Sequence, residues 1–445
     1  MNTTSDLIIR DLGDGLILRR GSFADADALA DINSRMHSDD GPGQPDMNID
    51  AWIRDLTAGT HPTTSAADFT VVEETATGRI VSTLCLIPQT WAYAGVEFGV
   101  SRPELVCTLP EFRKRGLVRI QMEEVHKWSA ERGDLMQIIT GIPNFYRQFG
   151  YAMALNLAGR RSGYEVNLPK LKDGVEPVLF RPARENDLEF VLQTYESWTA
   201  RHLLSCKRSP EIVRYETFDK NPKTVLCYEK VIIEDRAGKR IGFFEHPKYI
   251  WMNSLVTVFF ALVDGASFLE VTPGVARYLW QKGKEFAARD SSTHTMFGFS
   301  LGEYHPAYEA LDDCLPARRE PYAFFTRVPD LPAFLNRIKP VLEERLAHSI
   351  AAGHSGELRL NFYIGGVRLV FERGRIMSVE PMKVGSGIET DASFPDLTFH
   401  HLLFGHRSFD ELRHVFIDCY ADNNTAKVLL NALFPKKLSD VYPLA

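Results

Sequence analysis

Cysteine is scarce and scattered in this sequence. Six occur among 445 residues, at positions 85, 107, 206, 227, 314 and 419, with no Cys-x-x-Cys pair. That spacing excludes a disulfide scaffold and a cysteine-rich zinc site, and it points to reduced, buried thiols in a cytoplasmic protein. Long apolar runs are missing too. The most apolar stretch, Tyr249 to Val263, is too short to span a bilayer and is broken by Asn253, Ser254 and Thr257, so a buried β-rich segment is expected instead. The opening MNTTSDLIIRDLGDG lacks a basic region followed by an apolar one, so no export signal is expected. Positive charge is not in excess: 51 Lys and Arg against 58 Asp and Glu leave a net charge of −7. Nucleic acid and anionic membranes are therefore not expected partners. No GxSxG elbow, P-loop or HExxH is present. His400, His401 and His406 lie close in sequence, but adjacent residues point to different helix faces and no cysteine or carboxylate spacing accompanies them, so no metal is expected.

What is present is enough chain for about three domains, and a pattern used twice. Leu16–Arg20 reads as a strand, followed by Ser22-Phe23-Ala24-Asp25 and a helix with Leu29, Ile32 and Met36 on one face. Val178–Arg181, Glu185-Asn186-Asp187 and a helix carrying Phe190, Val191 and Trp198 repeat it. Arg19 precedes Asp25 by the same interval as Arg181 precedes Asp187. Two related units are expected, 1–165 and 166–329. In the first, strands at 69–73, 80–88, 104–108 and 135–140 surround a helix at 117–132 that Gly133 stops. In the second, a strand at 268–271 leads into a helix at 273–289, then a strand at 295–300. After the linker TRVPDLP (326–332), an amphipathic helix at 334–347, three alternating strands and two helices make a third, α+β unit at 330–445.

One turn stands out. Pro110 to Arg119 reads PEFRKRGLVR: Arg113, Lys114, Arg115 and Arg119 surround Gly116 just where the helix begins. A helix N-terminus leaves backbone N–H groups without partners and carries partial positive charge, so added cations oppose it unless an anion is bound. Gly116 lets a phosphate approach the backbone with no Cβ in the way. Such a turn suits a pyrophosphate.

Arg113-x-x-Gly116-x-Val118 after Val106-Cys107-Thr108 resembles motif A of the GNAT N-acetyltransferases, whose usual form is Arg/Gln-x-x-Gly-x-Gly/Ala; Val118 departs from the final small residue. Asn144 to Tyr151 (NFYRQFGY) resembles that family's FYxxxGF/Y helix, and Phe180 to Phe190 (FRPARENDLEF) a GNAT first strand and helix. Two such units followed by GELRLNFYIGGVRLVFERG (356–374) and FPDLTFHHLLFGHRSFDEL (394–412) resemble the three-domain Eis-type (enhanced intracellular survival) acetyltransferases. The resemblance implies a mixed α/β architecture: an active GNAT domain, a degenerate GNAT-like domain and a sterol-carrier-protein-like α+β domain. It implies a homo-oligomer, hexameric in that family.

The resemblance also implies the chemistry, transfer of an acetyl group from acetyl-coenzyme A to a primary amine by direct attack. It makes Tyr146 the general acid for the departing thiolate. As base it offers the C-terminal carboxylate of Ala445, or Glu104 acting through water; the chain ends in Leu-Ala rather than an aromatic residue. Coenzyme A is expected along Val106, Cys107 and Thr108, over the turn from Arg113 through Leu117 and Val118 to Arg119, and against Thr140, Gly141 and Ile142. Cys107 reads as a buried strand thiol rather than a nucleophile. The loop with His37, Asp39, Asp40 and Asp46 is expected beside the acceptor, where carboxylates would attract a polyamine, an aminoglycoside or a lysine side chain; Trp91 is a candidate wall. The alternative is a non-catalytic acyl-coenzyme A or lipid-binding protein that keeps the turn.

Overall fold

A computed structural model describes residues 7–171, 174–437 and 439–444. The first unit runs β1 (Ile8–Gly13), β2 (Leu16–Arg20), α1 (Ala26–Met36), α2 (Met47–Thr57), β3 (Phe69–Glu74), β4 (Arg79–Tyr93), β5 (Val96–Thr108), α3 (Leu117–Glu131), β6 (Met136–Ile139) and β7 (Ala152–Leu157). β8 (Arg160–Tyr164) completes it; the second has β9 (Val178–Pro182), α4 (Leu188–Thr199), β10 (Leu204–Cys206), α5 (Pro210–Arg214), β11 (Tyr228–Asp235), β12 (Arg240–Pro247), β13 (Ser254–Thr257), β14 (Phe259–Leu262), α6 (Phe268–Asp290), β15 (Met296–Phe299), α7 (Pro306–Ala310), β16 (Ala317–Arg319) and β17 (Tyr322–Arg327). The third has α8 (Leu331–Ala347), β18 (Gly356–Asn361), β19 (Gly366–Glu372), β20 (Arg375–Met382), β21 (Ala392–Ser393), α9 (Phe399–Leu403), α10 (Phe409–Val415), β22 (Tyr420–Ala421) and α11 (Asn424–Leu433).

The two halves are built alike. Arg19 forks onto Asp25 with N–O distances of 2.7 and 2.9 Å and reaches Glu73 at 2.6 Å. Arg181 forks onto Asp187 at 2.6 and 3.0 Å and reaches Glu234 at 2.8 Å. Each arginine thus ties a first strand to the turn that starts the helix and to the neighbouring strand. The bidentate fork uses the planar guanidinium in a way a lysine could not. The Arg-to-Asp interval is visible in the sequence; the glutamates, one strand away, are not.

The units are also interlocked. The first sheet has the order β1-β2-β3-β4-β5-β6-β17-β7, so the last strand of the second unit inserts between β6 and β7. In return β8, which follows β7 directly, lies between β15 and β16. The sheets thus exchange strands across the expected boundary at 165. β10 pairs with the end of β4, and α8 packs Phe334 edge-on to Tyr93 and Phe98. One apolar core therefore runs from the first sheet into the third unit.

Two expectations change. The strand expected at 268–271 is the first turn of α6. Phe268, Val271, Val275 and Leu279 recur at helical spacing and pack inward, and Pro273 sits inside the helix without ending it. A short apolar run does not by itself separate strand from helix. The strand expected at 104–108 is the end of a much longer one, because Ala94 and Gly95, both with positive φ, turn β4 straight back into β5.

Candidate active site

β5 and β6 pair in parallel only at Val100–Met136 and Ser101–Gln137. Beyond Ser101 they separate. The bulge that helps to separate them sits at Leu105, whose φ is 56° and where the β4–β5 register slips. A cavity of about 880 Å³ fills the gap. On one side runs the unpaired edge of residues 104–108, on the other Ile139 to Ile142, and α3 with its preceding turn closes the outer end. An open strand edge presents N–H and C=O groups to an extended amide-containing ligand.

At the turn, Gly116 caps α3 with φ 76°, and Lys114 also has a positive φ, 64°. The first helical bond runs from the Ile120 N–H to the Gly116 carbonyl. The N–H groups of Leu117, Val118 and Arg119 therefore precede the helical ladder, beside the cavity that these residues line. Successive N–H groups in such a turn form an anion cradle. The Arg113 Nε–H bonds the Thr108 carbonyl at 3.2 Å, and Arg119 lies over Phe149 while bonding Gln148 at 2.6 Å. Nothing lies within 4 Å of a Cβ added to Gly116. Gly116→Ala therefore meets only left-handed backbone strain, about 1–2 kcal/mol. The expected result is a several-fold weaker affinity for coenzyme A by calorimetry with turnover at saturation retained.

The inner end holds Tyr146. A short 3₁₀ helix, Phe145–Phe149, places it among Phe145, Phe149, Tyr151 and Phe325, with ring centroids 5.1 to 6.5 Å away. Phe325 belongs to β17, so the returning strand builds this wall. Tyr322 on the same strand donates to the Gly141 carbonyl at 2.6 Å. The Tyr146 hydroxyl makes no hydrogen bond among the described residues. Burial, then the nearby Glu104 charge, holds the phenol above its ordinary value, so it stays protonated at neutral pH. Glu104 accepts from Arg102 at 2.6 Å and from Thr140 at 3.2 Å. His37, at the end of α1, lines the same cavity with an exposed side chain; partial desolvation lowers its pKa and the Glu104 charge opposes that.

The C-terminal segment arrives here from the third unit. The Leu444 carbonyl accepts from Gln89 Nε2 at 2.7 Å and from Arg102 Nη1 at 3.1 Å, and the Tyr442 carbonyl from Arg208 at 2.8 Å. Leu444 is 1% exposed. Arg102 thus joins the end of the chain to Glu104. Asp440 lies against Gly302, where an added Cβ would collide with its carboxylate. Burial, then the Glu303 charge, pushes the Asp440 carboxyl up to about 7. The folded state holds this proton more tightly than the unfolded chain. The resulting stability is fully present below about pH 4 and is lost as pH rises through about 7. Asp440→Asn should therefore flatten the fall in Tm between pH 5 and 8; an unchanged slope would assign that dependence to other groups.

Val106, Cys107, Thr108, Arg113, Lys114, Gly116, Leu117, Val118, Arg119, Thr140, Gly141 and Ile142 meet around one cavity, together with Glu104 and Tyr146. Arg115 lines neither it nor the second cavity described below; it points to Asp14 at 3.3 Å. Cys107 turns its thiol inward to Thr83 at 3.3 Å, and burial pushes it up to about 11, which removes it as a thiolate nucleophile. Trp91 is not an acceptor wall. It is fully buried and donates to Gln89 at 2.9 Å, aligning the amide that holds Leu444. Asp46 caps α2, accepting from the Asn48 and Ile49 N–H groups. Asp39 and Asp40 are exposed and outside both cavities. Ala445 lies outside the described residues. Gln89 and Arg102 were not legible as the residues that hold the C-terminal segment, because only the fold brings Leu444 to them. Among the described residues no group of three or more His, Cys, Asp or Glu could hold a metal ion; His401 and His406 instead face each other, Nδ1 to Nδ1, at 3.0 Å. No helix among them is long and apolar enough to cross a membrane.

Residues 38–154 match the acetyltransferase (GNAT) domain family. No curated protein sequence matches the chain. Similar solved structures extend over nearly its whole length. An Enterococcus faecalis protein described as a probable N-acyltransferase is 14% identical, with TM-score 0.66 over 96% of this chain and 100% of that one. A GCN5-related N-acetyltransferase from Kribbella flavida is 16% identical, with TM-score 0.61 over 96% and 97%. Eis1 from Mycobacterium abscessus is 12% identical, with TM-score 0.54 over 86% and 91%. The architecture is thus a mixed α/β GNAT-like fold, and the first unit carries an acyltransferase domain of the GNAT type.

Proposed function

We propose that the protein transfers an acetyl group from acetyl-coenzyme A to a primary amine, with the chemistry in the first unit. The observation that carries this is the single cavity that joins helix-start N–H groups among basic residues, an open strand edge and a tyrosine whose hydroxyl has no hydrogen-bond partner among the described residues. The pyrophosphate would lie on the N–H groups of 117–119 beside Arg113 and Arg119, and the pantetheine arm along residues 104–108. The thioester would then end between Glu104, Thr140 and Tyr146.

An aliphatic amine is protonated at neutral pH and must lose that proton to attack. Glu104, reached through water, would accept it; the alternative base is the carboxylate of Ala445, which lies outside the described residues. The amine nitrogen then bonds the acetyl carbon and the carbon–sulfur bond breaks. Tyr146 donates its proton to the leaving thiolate and is reprotonated by the proton that the new amide releases. A backbone N–H of the open edge can hold the intermediate oxyanion.

A sterol-carrier-like third unit and a cytoplasmic oligomer belong to the same reading. The exposed Ile350, Ile364 and Ile417 of that unit, each more than 90% accessible, supply apolar surface for self-association. Thiol release from acetyl-coenzyme A against polyamines, aminoglycosides, lysine peptides and simple amines tests the activity. Turnover with any amine supports it. Coenzyme A binding with silence across the amines would favour the non-catalytic acyl-coenzyme A or lipid-binding reading.

A further inference from the structure

A second cavity, of about 360 Å³, lies between the first two units. It meets the first at Thr140, which lines both, and at Arg102, whose partner Glu104 lines the other. The acceptor side of the proposed reacting centre therefore borders it. Its volume is at the small end for ligand sites. Much of its wall is aromatic: Tyr195, Tyr228, Phe243, Phe259, Phe324 and Tyr442. Tyr442 comes from the C-terminal segment and packs edge-on to Phe259 at 4.9 Å between centroids.

The charged groups of this cavity are already matched. Arg208 pairs with Glu216 at 3.0 Å, and Lys230 with Glu245 at 2.9 Å. Arg102 is held by Glu104 and Leu444. Lys220 adds a further buried cation facing Glu216. The remaining carboxyl, Asp440, is pushed up to about 7 by its burial, so only about half of it carries charge near pH 7. A polycationic acceptor would bring several ammonium groups into a buried space whose carboxylates are taken and whose cations repel it, and desolvation of those charges would go unmatched. An amine with one charge and a compact apolar body meets a smaller penalty, and its ring would gain from the aromatic wall.

We infer that the acceptor is a small aromatic primary amine carrying a single positive charge, seated in the cavity between the first two units with its amine directed at Thr140 and Glu104. This rests on the acyl-transfer reading above and narrows its substrate class, away from the polyamines and aminoglycosides that an acidic loop would favour. In the reaction the acetyl carbon exchanges its sulfur for the amine nitrogen; one amine proton leaves to solvent through the base and another ends on the coenzyme A thiol.

The test measures thiol release by the full chain with 2-phenylethylamine, ethylamine, spermidine and kanamycin. The expected kcat/KM for 2-phenylethylamine exceeds that for each of the others by at least about tenfold. Spermidine or kanamycin equalling or exceeding it would overturn the inference while leaving acyl transfer intact, as would ethylamine doing so. If no amine turns over, acyl transfer itself fails. Calorimetric binding of 2-phenylethylamine without acyl donor then decides the cavity separately, and its absence overturns the assignment. Val213→Trp, which fills the cavity from the second unit, should raise KM for 2-phenylethylamine at least about fivefold and leave coenzyme A affinity unchanged. An unchanged KM would place the acceptor elsewhere.

Discussion

Replacing Tyr146 by phenylalanine should lower kcat by about 10²-fold or more while the affinity for coenzyme A stays near that of the unaltered protein. The size is that of losing a positioned proton donor. The phenol is buried and kept protonated, and its hydroxyl has no partner among the described residues. Removing that oxygen therefore breaks no structural hydrogen bond, and the ring keeps its contacts with Phe145, Tyr151 and Phe325. A structural role would appear instead as a lower Tm. Kinetics under saturating acetyl-coenzyme A, with calorimetry for binding, separates the two. An unchanged kcat would remove Tyr146 from the mechanism.

Deleting Tyr442 to Ala445 should be as damaging by another route. It would remove one acceptor each from Gln89, Arg102 and Arg208 in a buried region, while Arg102 keeps Glu104 and Arg208 keeps Glu216. The Gln89 amide donor would be orphaned, at a cost of about 1–3 kcal/mol. A lower Tm and a loss of activity of about 10²-fold are expected together. One residue added after Ala445 isolates the chemistry, because Leu444 stays docked while the terminal carboxylate moves. A large fall in kcat at unchanged Tm would assign the base to that carboxylate. Near-normal kcat would leave Glu104 as the base.

Much of this was legible because it is local. The turn 113–119 announces itself by charge, glycine and helix onset within seven residues. Asn144 to Tyr151 places Tyr146 after a short strand, and the interval from Arg19 to Asp25 returns at Arg181 and Asp187. Where the reading failed, a local pattern was ambiguous or a carboxylate had two uses. Phe268 to Val271 fits a strand or one helical turn. Asp46 serves as a helix cap rather than an acceptor contact, and Trp91 aligns Gln89 from the core.

The sequence by itself determined the two-fold repeat of the strand–turn–helix opening, the basic glycine turn at the start of a helix and the aromatic segment that carries Tyr146, since each depends on residues a few positions apart. Only the tertiary structure decided that β17 returns to wall Tyr146, that β8 crosses to the other sheet, and that Leu444 docks on Gln89 and Arg102. It also decided the aromatic, charge-matched cavity between the first two units, whose lining spans Arg102 to Pro443. Strand pairing depends on partners hundreds of residues apart, and a buried ion pair such as Arg208–Glu216 acquires its meaning from the walls around it. Neither leaves a spacing that can be read along the chain.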